Sequence, residues 1–68
     1  MADLLKGTRL GPWVLFRDEN GLRHAVRSSA ILSVSDTDET GSSTAVQMTG
    51  NRLAVVRRAF EEVFSWVQ

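Results

Sequence analysis

Apolar and polar residues alternate along most of the chain, in short runs separated by turn-forming steps. The runs 13–17 and 22–27 flank the segment Asp-Glu-Asn-Gly, and an Asn-Gly step between strand-like runs is typical of a two-residue type I′ hairpin turn. We therefore expect two antiparallel strands here. Residues 30–35, rich in Ile, Leu and Val, predict a third strand.

The second half of the chain predicts another hairpin. Residues 36–43 hold no apolar side chain and indicate an exposed loop, followed by a strand at 44–49 and a tight turn at Gly50-Asn51. Residues 52–57 are compatible with a strand, or with a helix that Asn51 would cap. The β-branched residues at 55 and 56 favour the strand.

The last element has the pattern of an amphipathic helix. Apolar residues recur at three- and four-residue spacing from Ala59 to Val67, and charged residues lie opposite them. Trp66 lies at the edge of this apolar arc and widens it. The exposed side is expected to carry two i,i+4 ion pairs, Arg57 with Glu61 and Arg58 with Glu62.

Together these elements predict an α+β fold: a small antiparallel β-sheet of hairpins, with four to five strands, packed by one C-terminal amphipathic helix. Residues 1–12 precede the first strand and are expected to form an N-terminal arm, and residues 13–68 a single domain. The apolar residues expected to contact a neighbouring subunit are Leu4 and Leu5 in the arm and Phe64 and Trp66 on the helix.

The length of the chain makes self-association an expected source of stability. A chain of 68 residues buries only a small core, and domains of this size usually gain stability from disulfides, metals or partner subunits. There is no cysteine and only one histidine, so we expect a homo-oligomer without metal or cofactor. The absence of cysteine and of any signal-like or membrane-spanning run favours the cytoplasm and no membrane association.

Charge and catalytic groups limit the classes of function. Eight basic and eight acidic residues cancel, so a partner such as long nucleic acid is not expected. His24 alternates with Leu22 and Val26, which is typical of a packed histidine, and no convincing catalytic dyad accompanies it; we therefore do not expect an enzyme. Residues 36–41 resemble the start of an EF-hand, but Gln47 stands where the bidentate glutamate belongs.

Strand alternation predicts an apolar and a polar sheet face. The residues expected to pack under the helix are Leu22, Val26, Leu32, Val34, Val46, Met48, Leu53 and Val55. The opposite face is expected to carry arginines and hydroxyls, namely Arg23, Arg27, Arg52, Ser33, Ser35 and Thr49, together with Gln47. Trp13 is available to stack on a planar group.

Guanidinium forks and hydroxyls suit phosphate, and an aromatic ring suits a base. This polar face therefore favours a homo-oligomeric protein that sequesters a small anionic, nucleotide-like ligand. Small phage-encoded anti-defence proteins exemplify that class.

A resemblance to a known family supplies an alternative. From Val14 onward, the order VLFRDENG, AILSV and STAVQMTGNRLAVVRRAFEEV is similar to the FlbD-like family of short proteins from flagellar operons. The resemblance implies a scaffold of strands, a Thr-rich hairpin and a closing helix, and no functional residue is carried over. The alternative function is a protein–protein inhibitor or adaptor, either an anti-CRISPR-type blocker or a flagellar accessory protein, in which aromatic anchors matter more than arginines.

Overall fold

The computed structural model describes residues 6–68, which form six strands and a C-terminal helix. The elements are β1 (Thr8–Leu10), β2 (Trp13–Arg17), β3 (Arg23–Arg27), β4 (Ile31–Asp36), β5 (Thr44–Met48), β6 (Arg52–Val56) and α1 (Phe60–Val67), with a 3₁₀ turn at Ser28–Ala30. The strands form two antiparallel sheets, β1-β2-β3 and β4-β5-β6, and α1 packs against β1 and β4. The predicted α+β class of hairpins closed by a C-terminal helix is confirmed, with six strands in two sheets instead of four to five in one.

The Gly11-Pro12 step forms the first hairpin turn. Leu10 pairs with Trp13, so only two residues connect β1 to β2, and Gly11 has a φ of 59°. Glycine adopts this left-handed conformation without the steric cost that a Cβ would bring. Residues 8–10, within the predicted arm, are therefore a strand of the first sheet.

The connection between β2 and β3 is longer than predicted. The Asp18 N–H donates to the Leu22 carbonyl and the Gly21 N–H donates to the Asp18 carbonyl, each at 2.9 Å. A type I′ turn needs a positive φ at both central residues, but among the described residues Asn51 is the only non-glycine with a positive φ. The predicted two-residue type I′ turn is therefore wrong. The Asp18 carboxylate also accepts the Leu22 N–H, at 3.0 Å, and so stabilises the five-residue turn.

The second hairpin is confirmed. Gly50 and Asn51 have φ values of 79° and 59°, which allow a tight turn between β5 and β6. Residues 52–56 are a strand, so the helical alternative for this segment is excluded. Helix α1 begins only at Phe60. The segment before it is bound to β5, because the buried Thr44 hydroxyl donates to the Arg58 carbonyl at 2.8 Å.

One core lies between the two sheets and the helix. It is formed by Val14, Phe16, Val46, Met48, Ala54, Val56, Val63 and Trp66. Since every sheet contributes to this core, each sheet has an inner face that lines it and an outer face that points away from it.

The register of β6 corrects the predicted core face. Ala54 pairs with the buried Val46, and Leu53 pairs with the exposed Gln47, so Leu53 is 65% exposed. The prediction that Leu53 and Val55 pack under the helix is therefore wrong, because the alternate residues face the core. Two further residues of the predicted core set are also exposed, Leu22 in the β2–β3 turn and Leu32.

Leu32 is exposed because β4 contains a β-bulge. Ile31 pairs with Met48 but Ser33 pairs with Gln47, so Leu32 is the additional residue. The bulge lies on β4, an edge strand of the second sheet.

The helix is short and carries one of its predicted ion pairs. Arg58 and Glu62 lie 3.5 Å apart on its exposed side, whereas Arg57 and Glu61 form no ion pair within the described part of the chain. Across residues 6–68, no helix has the length and apolar character required to cross a membrane.

Candidate functional site

The outer face of the first sheet carries a cluster of arginines. Alternation along β2 directs Val14 and Phe16 into the core, which leaves Trp13, Leu15 and Arg17 on the outer side. Strand β3 continues this face, because its residues pair directly with those of β2. The cross-strand pairs are Trp13 with Arg27, Leu15 with Ala25, and Arg17 with Arg23. We refer to Trp13, Arg17, Arg23 and Arg27 as the Trp–Arg face.

Trp13 and Arg27 form a cation–π pair at one end of this face. The Arg27 guanidinium carbon lies 5.2 Å from the ring centroid, and the Trp13 residue is 40% exposed. An aromatic surface and a cation are thus available together, which is the combination that nucleotide-binding surfaces use for bases and phosphates.

Arg17 and Arg23 lie directly opposite each other at the other end. Like charges in such a cross-strand pair destabilise a sheet. The Arg17 Nη1 donates to the Gly21 carbonyl at 2.9 Å, and no ion pair within residues 6–68 involves Arg17 or Arg23. An anion bound between the two guanidinium groups would offset their repulsion.

The carboxylate of the neighbouring Asp18 forms its hydrogen bonds on the side of the sheet opposite to the Trp–Arg face. Its Oδ2 lies 2.8 Å from His24 Nε2, and its Oδ1 accepts two backbone N–H groups of the turn. The hydrogen bond with His24 is the main cause that lowers the pKa of Asp18, and the backbone donors lower it further. The His24 ring stacks on Phe16 with centroids 5.0 Å apart, so the packed position predicted for this histidine is confirmed.

The predicted hydroxyl residues belong to the other sheet. Ser33 and Ser35 lie on the outer face of β4, where the Ser33 hydroxyl donates to Gln47 Oε1 at 3.4 Å. Thr49 lies in the β5–β6 turn, and its N–H donates to the Ala30 carbonyl at 2.9 Å.

Arg52 is also separated from the Trp–Arg face. It pairs with the buried Met48, so it lies at the end of the core-facing row of β6, and its side chain is exposed. The prediction that the arginines and hydroxyls share one face is therefore wrong. The 3₁₀ turn at 28–30 divides the strands into two sheets, and each outer face points away from the common core.

Arg17 is absent from the set of site residues predicted from the sequence. The strand alternation indicates this position, because Arg17 is four positions from Trp13 in the same strand and an even spacing places both side chains on the same face. Arg9 was also missed, and its role is structural: its guanidinium donates to the carbonyls of Trp66 and Gln68 and to the Ser28 hydroxyl.

The residues predicted at an interface between subunits occupy different environments. Leu4 and Leu5 lie outside the described residues. Trp66 is 6% exposed and stacks at 6.3 Å on Phe16, so it belongs to the core of its own chain. Phe64 remains 43% exposed and stacks on Phe60 at 5.7 Å.

Phe64 borders an apolar groove of about 170 Å³ between β4 and α1. The groove is lined mainly by Ile31, Leu32 and Val34 from β4 and by Phe60, Phe64 and Val67 from α1. None of its lining residues is charged. An apolar side chain from a protein partner would fit such a surface.

The loop that resembles the start of an EF-hand is organised by its own hydrogen bonds. Asp38 Oδ1 accepts the Thr40 hydroxyl at 2.6 Å and the Thr40 N–H at 2.9 Å, and the bond from the hydroxyl is the main cause that lowers the pKa of Asp38. Within residues 6–68, no group of three or more acidic or histidine side chains is arranged to hold a metal ion.

Comparison with known proteins identifies no relative: no family model, no curated protein and no solved structure matches this chain. Its function is therefore argued from the chemistry of the Trp–Arg face and of the apolar groove.

Proposed function

We propose that this protein is a non-enzymatic, self-associating binding protein of the cytoplasm that sequesters a small anionic, nucleotide-like ligand on its Trp–Arg face. The observation that carries the proposal is the juxtaposition of three arginines and an exposed tryptophan on one side of a three-stranded sheet. We further propose that it acts as a phage-type anti-defence protein, without catalysis. Ser33, Ser35, Thr49 and Arg52 lie elsewhere and are not required for it.

Charge supports an anionic ligand. The outer rows of β2 and β3 hold three cations and no carboxylate, although the chain as a whole has no net charge. Arginine presents planar donors that bind phosphate oxygens two at a time, and such charge-assisted hydrogen bonds are about twice as strong as neutral ones. Repulsion between Arg17 and Arg23 destabilises the sheet without ligand, and a bound phosphate would offset this repulsion.

The test is calorimetric titration with a panel of linear and cyclic nucleotides. We expect binding by the unmodified protein, strong loss of affinity in Arg27→Ala, and unchanged affinity in the matched control Arg52→Ala, which removes an exposed arginine from the other sheet. If no nucleotide binds, or if Arg27→Ala binds as tightly as the unmodified protein, the proposal is overturned. Circular dichroism of both variants checks that the fold is retained.

Self-association is proposed to occur through the apolar groove between β4 and α1. Leu32, 63% exposed on the bulge, borders the groove that Phe64 also lines, so a two-fold arrangement would bring the exposed leucine of each copy to the groove of the other. No charged side chain lines the groove, so two copies would meet without like-charge repulsion there. A small domain without disulfides gains stability from such burial.

Native mass spectrometry and light scattering test this part of the proposal. We expect an oligomer that Phe64→Asp converts to monomer, whereas Leu53→Asp, a change at a more exposed apolar residue away from the groove, leaves the oligomer intact. A monomeric unmodified protein at micromolar concentration would contradict the prediction.

The second candidate function is a protein–protein inhibitor or adaptor, of the anti-CRISPR type or of the flagellar accessory type that the sequence resembles. The same apolar groove favours it, because exposed aromatic side chains beside a concave apolar surface are common anchors of interfaces. A host protein recovered in stoichiometric amount with the unmodified protein and with Arg27→Ala, but lost with Phe64→Asp, would support this function and count against nucleotide sequestration.

A further inference from the structure

The cationic groups of the Trp–Arg face are divided between its two ends. Trp13 and Arg27 form one end, Arg17 and Arg23 form the other, and the uncharged pair Leu15 and Ala25 lies between them. Arg17 is four positions along β2 from Trp13, which corresponds to about 13 Å at the rise of an antiparallel strand.

The two ends have different chemistry. The Trp13 end offers a ring for stacking and, within 5.2 Å of that ring, the guanidinium of Arg27. The Arg17 end offers two guanidinium groups without an aromatic ring, and the bond from Arg17 Nη1 to the Gly21 carbonyl holds one of them in place. The first end therefore suits a base with an adjacent phosphate, and the second suits a phosphate alone.

A nucleoside monophosphate is too short to use both ends. Only one sugar separates its base from its phosphate, so a base stacked on Trp13 places its own phosphate near Arg27. Arg17 and Arg23 are then left for a second phosphate further along the ligand. We infer that the Trp–Arg face takes a phosphodiester-linked ligand of two or more nucleotides rather than a nucleoside monophosphate, an inference that rests on the proposed function.

The surroundings limit the length of this ligand. The outer rows of β2 and β3 end at the Arg17–Arg23 pair, and the turn beyond this pair carries the exposed Glu19. This exposed carboxylate and the zero net charge of the chain oppose an extended polyanion beyond the arginine pair. A dinucleotide or short oligonucleotide, linear or cyclic, fits the charges that are present.

The experiment compares ligands that differ by one nucleotide. The fluorescence of Trp13, measured in Trp66→Phe so that one tryptophan reports, is titrated with a nucleoside monophosphate, with a 5′-phosphorylated linear dinucleotide and with a cyclic dinucleotide. We expect at least one dinucleotide to bind about tenfold or more tightly than the monophosphate, the gain expected from one additional charge-assisted contact. The linear and cyclic forms distinguish the end of a nucleic acid strand from a free cyclic nucleotide.

Variants at the two ends of the face provide the decisive contrast. Arg23→Ala is expected to reduce dinucleotide affinity by a larger factor than monophosphate affinity, bringing the two close together, whereas Arg27→Ala weakens both by a similar factor. Arg52→Ala is the matched control and changes neither. Equal affinity for both ligand classes, or an equal effect of Arg23→Ala on both, overturns the inference while the proposed function stands. If none of the three ligands binds, the proposed function fails together with the inference.

Discussion

The guanidinium of Arg9, on β1, binds the backbone carbonyl of Trp66 near the end of α1, with Nη1 donating at 2.8 Å. The same nitrogen donates to the Gln68 carbonyl at 2.9 Å, and Nη2 donates to the Ser28 hydroxyl at 3.0 Å. The last carbonyls of a helix have no partners within the helix, and a cation near them is favourable. Arg9 thus joins the first sheet, the 3₁₀ turn and the helix.

Replacing Arg9 by alanine should therefore destabilise the protein by about 1–2 kcal/mol, because carbonyls at the helix end lose a charged donor. Chemical denaturation with tryptophan fluorescence measures the effect. Arg52→Ala, which removes an exposed arginine that makes no side-chain hydrogen bond to the described residues, is the control and should be neutral. Equal midpoints for the two variants would mean that Arg9 does not hold the helix.

Gly7 is required where the chain passes the Trp66 ring. It has a φ of +116°, and a Cβ at this position would overlap the ring atoms of Trp66. Gly7→Ala should cost about 3 kcal/mol through steric overlap and backbone strain. Gly41→Ala is the matched control, since Gly41 has a φ of +71° with nothing within 4 Å of the added carbon, and strain alone should cost it about 1 kcal/mol. Thermal unfolding of both variants tests this, and a Gly7→Ala midpoint no lower than that of Gly41→Ala would contradict it.

Acid sensitivity is expected to depend on Asp18. Its pKa is lowered in the folded protein, chiefly by the hydrogen bond with His24, so it contributes stability above its unfolded pKa, and this contribution is lost as the pH falls through the lower, folded pKa. Asp18→Asn should therefore reduce stability at neutral pH and flatten the acid limb of the stability curve. Denaturant midpoints measured from neutral to acidic pH provide the readout, with Asp36→Asn as the control for loss of an exposed carboxylate. An unchanged acid limb in Asp18→Asn would refute the assignment.

The Arg17–Arg23 pair should show opposite effects on stability and on binding. Arg23→Glu places a carboxylate directly opposite Arg17, so we expect a stability gain of about 0.2–1 kcal/mol from the altered cross-strand pair. The same variant should bind nucleotide ligands more weakly, because a cation of the Trp–Arg face is replaced by an anion. Denaturation and calorimetry on one preparation measure both effects. A variant that loses stability and keeps full affinity would indicate that the pair is structural.

Local sequence patterns predicted most of the elements correctly. The segments of β2 to β6, the turn at Gly50-Asn51 and the helix follow from side-chain periodicity and turn chemistry, which depend on residues near one another in the chain, whereas β1 lies in the segment predicted as an arm. The helix begins only after Arg58, whose carbonyl accepts the Thr44 hydroxyl, and this contact joins residues that are distant in the chain. The prediction of a two-residue β2–β3 turn is wrong because the Asp18 carboxylate stabilises a longer loop than an Asn-Gly step alone indicates.

The candidate site was only partly predictable. Trp13, Arg23 and Arg27 lie together as alternation and hairpin pairing imply, and Arg17 belongs with them by the same rule. Ser33, Ser35 and Arg52 were grouped with them because alternation defines two faces for each strand and does not identify the sheet to which a strand belongs.

By itself the sequence determined that this chain forms antiparallel hairpins and a closing helix, because those features depend on local spacing. Only the tertiary structure decided that there are two sheets, that Ala54 and not Leu53 faces the core, and that Trp66 is a core residue held beside Gly7 and Arg9. The physical reason is that register and sheet partition follow from packing both sheets and one helix around a shared core, which no local pattern encodes.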